Sequence, residues 1–223
     1  MTAENPGSQL DKLHTLTMTD PRLVAATSTT GFFQEHPKIA NQYVEDPILS
    51  RSASLFLPAD LQVSLGPRLK AWGDRVLEPE IWGHVVNAEH DLPYLSGSGF
   101  TAFGHPNGHA LVTSPGWKAL QEIGIAEGRI VATGNDIAAY GPLARVVQMG
   151  HLHLWTGSSA VVTCPSAMQD GAISILRRDL ASGYVSPLYN TPQLKADRQK
   201  VFERALERML STDPKVTWTS GQW

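Results

Sequence analysis

The 223-residue sequence carries 18 Lys and Arg against 21 Asp and Glu, a formal charge of −3, so its electrostatics give no reason to expect a nucleic-acid partner. Hydrophobic residues make up 42% and aromatics 8%, which excludes disorder as the main state because this much apolar surface offsets the entropy of ordering. Charged residues are only 17%, under the roughly 25% of an average soluble domain, as expected if a partner covers part of the surface. One cysteine, Cys164, excludes a disulfide-stapled scaffold and a multi-thiolate metal site. The opening MTAENPGSQLDKL has no apolar signal core and no Arg-rich run, and no span reaches about 18 uninterrupted apolar residues, so a cytoplasmic protein without a membrane segment is expected.

In chain order, residues 1–30 are rich in Thr, Ser and Asp and read as an irregular lead. Residues 31–43 and 47–56 carry only a broken pattern. From Pro58 the pattern sharpens: Asp60 offers an N-cap, and Leu61, Leu65, Leu69, Trp72 and Val76 recur at helical spacing to about Leu77, with Pro67 bending the helix. A second helix is expected over 81–90, ended by Asp91-Leu92-Pro93. Residues 96–108, with four glycines and Pro106, form the longest loop.

Ser114-Pro115 places a cap and a first-position proline before Trp117, Leu120 and Ile123, with Gly124 and Gly128 as stop signals. After the punctuation Thr133-Gly134-Asn135-Asp136, Leu143, Val146, Val147, Gly150 and Leu154 mark an amphipathic helix over 142–155. Thr156-Gly157-Ser158-Ser159 reads as a turn leading into a long apolar helix over 160–178, central in the bundle and kinked by Pro165. Thr191-Pro192 opens a last helix lined by Leu194, Phe202, Ala205, Leu206 and Met209. Pro214 ends it, and VTWTSGQW, residues 216–223, reads as a strand being entered. The sum is an all-α fold, a bundle of five or six helices with an incomplete strand at the C-terminus.

The candidate chemistry is sparse. His151 and His153 are two apart on an expected helix, where they do not share a face, and His105 and His109 are separated by Pro106 and Gly108, so no metal ligand set is expected. Cys164, flanked by Thr163 and Ser166 in an apolar helix, reads as an inert buried thiol. Ser158 lacks the strand that a nucleophile elbow requires. Glu78 and Glu80 flank a proline, and Glu203 and Glu207 lie on a charged helix face, which suits solvated carboxylates. From residue types and spacing alone there is no catalytic residue.

The run LHLWTGSSAVVTCPSAMQDGA, residues 152–172, with the preceding ATGNDIAAYGPLARVVQMG and the earlier ALVTSPGWKAL, resembles the N-terminal helical half of acyl-CoA dehydrogenases, closest to the AidB-like branch and its fungal relatives. The resemblance covers about residues 30–223. It implies a lead over 1–30, a helical N-terminal-like domain over 31–213, and at 214–223 the start of a middle β-domain that the chain lacks. In complete members FAD serves the α,β-dehydrogenation of an acyl thioester such as acyl-CoA, with a T-E-x-x-G-G-S-D-like loop holding the flavin and a carboxylate in a C-terminal domain as base. The sequence stops before that loop, so the resemblance implies a flavin oxidoreductase by descent that neither binds FAD nor turns over by itself. It also implies that Ser158, Ser159, Cys164 and Met168 line the acyl side of the pocket and that Trp223 abuts the flavin edge. Expected partners are the acyl thioester and a further copy or a complementing chain. The competing reading is a helical interaction or ligand-binding module that docks with a separate partner, and a third is a metal protein using His151 and His153.

Overall fold

The computed structural model describes residues 37–183, 187 and 191–221. The chain divides into two units, Met1–Lys38 and Ile39–Trp223, and the second is described here. Its elements are α1 (Gln42–Glu45), α2 (Pro47–Phe56), α3 (Ala59–Arg75), α4 (Pro79–His90), β1 (Tyr94–Ser96), β2 (Ala110–Val112), α5 (Pro115–Ala126), α6 (Ile130–Asn135), α7 (Ile137–Tyr140), a 3₁₀ turn (Gly141–Leu143), α8 (Ala144–Thr156), α9 (Thr163–Ser182) and α10 (Pro192–Leu210). The all-α reading holds, with one short antiparallel hairpin added between α4 and α5. Among the described residues seven helices reach ten residues, against the five or six expected. One of the additions is α2, whose apolar pattern is broken but whose ends are specified: Asp46 accepts from the Ile48 N–H at 2.8 Å and Pro47 opens the helix. No described helix is long and apolar enough to cross a membrane.

Helix starts follow local chemistry. Pro47, Pro79, Pro115 and Pro192 all lie at the beginning of a helix, where the missing N–H has no intrahelical acceptor to lose. Ser114 and Thr191 cap α5 and α10 by accepting from the N–H groups of Trp117 (3.0 Å) and Leu194 (3.3 Å). The N-cap of α3 is Pro58, and Asp60 instead places its charge in the first turn, at the positive end of the helix dipole.

The core is built where α3, α5 and α8 converge. Leu65, Leu69 and Trp72 from α3, Leu120 from α5, and Val147, Leu154 and Trp155 from α8 are buried together with Ile81, Ile130 and Val162. Trp72 and Trp155 meet with ring centroids 5.4 Å apart at 43°, and the Trp72 Nε1–H donates to the His151 carbonyl at 3.2 Å. Gly124 is not the stop signal expected of it, whereas Gly128 is: it follows the C-cap Glu127, its N–H donating to the Ile123 carbonyl at 3.0 Å. The helix runs past Gly124 to Ala126, and a Cβ on Gly124 would stand 3.1 Å from Trp155 Nε1, one on Gly128 2.9 Å from Trp72 Cζ2. Both are glycine so that two indoles can enter.

Two further expectations are corrected. The helix expected over 160–178 begins at Thr163, because Ala160 and Val161 have φ of 41° and 69°, outside the right-handed helical region. Pro165 therefore falls in the first turn of α9, where it forces no kink. Only one side of α9 is deeply buried, at Gln169 and Ile173, so it is not the central helix. The C-terminal stretch over 214–221 is not a strand. No strand lies beside it among the described residues, and Asp213 instead sets a turn, accepting from the Lys215 N–H at 2.9 Å. The chain folds back so that Trp218 lies against Arg204 and Arg208, whose guanidinium carbons are 5.8 and 5.3 Å from its ring centroid.

Gly128→Ala is expected to destabilise the fold by about 1–3 kcal/mol through overpacking against Trp72, read as a lowered urea midpoint with an unchanged slope.

Candidate functional site

The α8–α9 connection carries the feature of most interest. Ser158 and Ser159 close the end of α8, with their N–H groups donating to the carbonyls of Trp155 (3.0 Å) and Thr156 (3.4 Å). The two left-handed residues that follow, Ala160 and Val161, reverse the chain into α9. Neither is glycine and Val161 is β-branched, so this turn stores backbone strain of order 1–3 kcal/mol per residue. Beside it lies a cavity of about 80 Å³, whose wall is formed by Val76 and Leu77 at the end of α3, Trp82 of α4, Leu154 of α8, and Gly157 and Ser158 of the turn. Ile39, Gln42 and Gly73 complete the lining, and a mostly apolar wall with the Gln42 amide and the Ser158 hydroxyl suits a hydrocarbon chain with few directed polar contacts.

The structure separates the sequence-derived site residues. Ser158 lines this cavity. Ser159 is buried beside it, and its hydroxyl donates to the Thr156 carbonyl at 2.9 Å, which makes it part of the turn's own bonding. Cys164 is exposed on the first turn of α9, not buried as expected, because the late start of α9 turns its first residues outward. Met168 lies one helical turn further on and is half-buried, and neither it nor Cys164 is among the residues lining the cavity. Trp223 lies outside the described residues. The two histidines diverge: His151 is buried with Nδ1–H donating to the Val147 carbonyl at 3.0 Å, and His153 is exposed, 3.3 Å from Asp46. Among the described residues no three His, Cys, Asp or Glu side chains converge as a metal site.

A polar network at the α6–α8–α9 contact was not anticipated from the sequence. The Asp170 carboxylate accepts from Arg145, from Asn135 Nδ2 at 2.9 Å and from Gln148 Nε2 at 3.4 Å, while Arg177 donates to Asn135 Oδ1 at 2.7 Å. One residue earlier, Gln169 Nε2 donates to the Met209 carbonyl at 2.6 Å and ties α9 to the end of α10. The available signal was Gln169-Asp170 interrupting an apolar run, since polar groups placed there must find partners. Burial pushes the Asp170 carboxyl up, but the hydrogen bonds from Arg145 and Asn135 outweigh it and hold the group below the usual carboxylate range. Burial pushes His151 down, against the opposing effect of the Val147 carbonyl, so its ring is held neutral.

No protein-family model matches the sequence. The chain is homologous to acyl-CoA dehydrogenase family member 11 of Caenorhabditis elegans, with 32% identity over 196 residues, which is 87% of this chain and 28% of that protein. It is similar to the crystal structure of Caenorhabditis elegans ACDH-11 in complex with C11-CoA, at a TM-score of 0.67 and 30% identity over 93% of this chain and 32% of the other. It is also similar to the apo-form of Bd2924, at a TM-score of 0.66 and 36% identity over 86% of this chain and 34% of that one. The chain thus spans less than a third of the curated relative's length.

The described residues do not fit a flavin. A cavity of about 140 Å³ between α2 and α3 falls well below the roughly 300–1,000 Å³ of organic-ligand sites. Of its polar side chains, Ser50 and Ser54 donate to helix carbonyls and Gln62 Nε2 to the Leu57 carbonyl at 2.6 Å.

Val161→Gly is expected to stabilise the protein by up to about 1 kcal/mol, because the left-handed strain it relieves exceeds the entropy glycine adds, and the exposed valine loses little packing; thermal unfolding reads the result. Stability also responds to pH. A histidine held neutral contributes fully above the unfolded-state pKa of about 6.5 and loses that contribution as pH falls below it, whereas an aspartate held ionised contributes above about 3.9 and loses it at lower pH. The urea midpoint is therefore expected to fall from about pH 7 to pH 5, and His151→Gln to flatten that window without altering the drop below about pH 4.

Proposed function

We propose, from this homology, that the chain is a helical module of an acyl-CoA dehydrogenase-type flavoenzyme, whose reaction is the α,β-dehydrogenation of an acyl thioester. Residues 31–213 correspond to the helical domain, and the flavin and the proton-abstracting base are held by residues outside those described. The module's own contribution is one wall of the acyl site. The observation that carries this is the apolar cavity closed by Leu154, Gly157 and Ser158 at the strained end of α8, in a chain whose relative of 30% identity is described in complex with C11-CoA.

The present cavity is too small to enclose an acyl chain, so on this reading it is the floor of a site whose roof comes from other residues. Burying methylenes against Val76, Leu77 and Leu154 gains about 0.8 kcal/mol per CH₂, and affinity depends on chain length while CoA itself adds little at this wall.

Trp82 reports directly on the cavity. Titrating the purified chain with acyl-CoAs of increasing length is expected to change its indole fluorescence progressively, with free CoA nearly silent, and Ser158→Phe, which fills the cavity mouth, to remove the response. A response independent of acyl length, or one that survives Ser158→Phe, contradicts the acyl-wall reading. Acyl-CoA-dependent dye reduction by the same chain with added FAD contradicts the assignment of flavin and base to other residues.

A further inference from the structure

Two cavities lie against one stripe of α3. Gln62, Gly66 and Leu69 help line the cavity between α2 and α3, and Gly73, Val76 and Leu77 help line the one beside the α8–α9 turn. From Gln62 to Val76 these positions follow one another at steps of four and three residues, so they share one helix face and span about 21 Å at about 1.5 Å per residue. The short helix α1 crosses the stripe between them: Tyr43 belongs to the wall of the first cavity and Gln42 to the wall of the second. Two glycines of α3 make room for the crossing. A Cβ on Gly66 would stand 3.1 Å from the Tyr43 hydroxyl, and one on Gly73 would collide with the Asn41 side chain.

The crossing element is shallow and held by its ends. α1 is a single turn of four residues, none of them buried, and is too short to keep helical form by itself. At its start Asn41 Nδ2 donates to the Lys70 carbonyl of α3 at 2.8 Å and to the Asp74 carboxylate at 2.6 Å. At its end Asp46 stands 3.3 Å from His153 Nε2 of α8. An element secured by a few polar contacts, with little apolar area buried, opens more readily than the core beneath it. With α1 lifted, Gly66 and Gly73 leave a furrow on α3 with Leu69 between them, at two places where a poor helix former is otherwise a disadvantage.

The chemistry of the furrow selects its occupant. In the α2–α3 cavity the Ser50 and Ser54 hydroxyls donate to the carbonyls of Pro47 and Ser50, and the Gln62 amide donates to the Leu57 carbonyl, so these groups are spent on the protein's own backbone. Ala53, Leu57 and Leu65 supply apolar wall. No described Lys, Arg, His, Asp or Glu lines either cavity, so a phosphate or carboxylate finds no counter-charge there, whereas a hydrocarbon tail needs none. We propose that the two cavities are the two ends of one acyl channel along α3, that α1 is a strap displaced when a long acyl chain enters, and that the α2–α3 cavity sets the longest chain accepted. This rests on the acyl-wall reading and extends it from one wall to a path, with each methylene laid in the furrow adding to affinity.

Titration of the 223-residue chain with acyl-CoAs from butanoyl-CoA to hexadecanoyl-CoA tests it, with indole fluorescence reading affinity and amide exchange reading the strap. Ala53→Phe, which fills the α2–α3 cavity, is expected to leave butanoyl-CoA affinity unchanged and to weaken hexadecanoyl-CoA at least tenfold. In the unsubstituted chain, saturating hexadecanoyl-CoA is expected to speed exchange of the Val44, Glu45 and Asp46 amides, which donate to the Asn41 and Gln42 carbonyls, while butanoyl-CoA leaves them unchanged. Asn41→Ala, which unties the strap from α3, is expected to speed the same amides without ligand and to tighten hexadecanoyl-CoA binding. Length-dependent binding that Ala53→Phe does not shorten, or strap amides that hexadecanoyl-CoA does not move, overturns the channel and leaves the acyl wall standing. Binding independent of acyl length, or binding that survives Ser158→Phe, overturns both.

Discussion

The structure depends on one close approach: two indoles crossing between α3, α5 and α8. Trp72 and Trp155 meet at 5.4 Å only because Gly124 and Gly128 remove the side chains that would stand in their way. Large aromatic burial supplies much of the hydrophobic gain of a small helical core, and the Trp72 hydrogen bond to the His151 carbonyl fixes how the α3 ring lies against α8. At this contact Gly124, inside α5, exchanges helix propensity, about 1 kcal/mol, for packing that no larger residue permits.

What that contact fixes reaches the proposed site within a few residues. Trp155 is followed by Gly157 and Ser158, which close the apolar cavity, and Trp72 is followed by Val76 and Leu77 on its opposite wall. The two ends that hold the core are therefore the ends that shape the cavity. Beyond them, the left-handed pair Ala160 and Val161 sends the chain into α9, where Asp170 and Gln169 secure it to α6, α8 and α10 through the polar network. Strain in the turn is balanced by bonding on its far side, as expected where surrounding structure must over-determine an unfavourable backbone.

Legibility from the sequence divided along a physical line. Features set by a few adjacent residues were readable: Ser114-Pro115 and Thr191-Pro192 open α5 and α10 where their cap chemistry requires, and the Leu65–Leu69–Trp72 spacing gives the buried face of α3. Features set by distant partners were not. Gly124 looks like a helix stop until the indole across from it is known. Ala160 and Val161 are not residues that ordinarily take left-handed φ, so the residue pattern puts the start of α9 too early and Cys164 inside, where the structure exposes it. The hairpin was hidden by its glycines, and the C-terminal Val, Thr and Trp suggest a strand only when Arg204 and Arg208 are left out. Of the sequence-derived acyl-side residues, Ser158 lies on the cavity, since a turn residue next to a core tryptophan has little freedom to lie elsewhere.

The proposal that this module forms one wall of an acyl site is tested most directly by mapping amide chemical-shift changes in the isotope-labelled chain on titration with a long-chain acyl-CoA. Changes concentrated at Val76, Leu77, Trp82, Leu154, Gly157 and Ser158, growing with acyl length, are the predicted result. Changes confined to α10 and the C-terminal turn, or none at saturating ligand, contradict it.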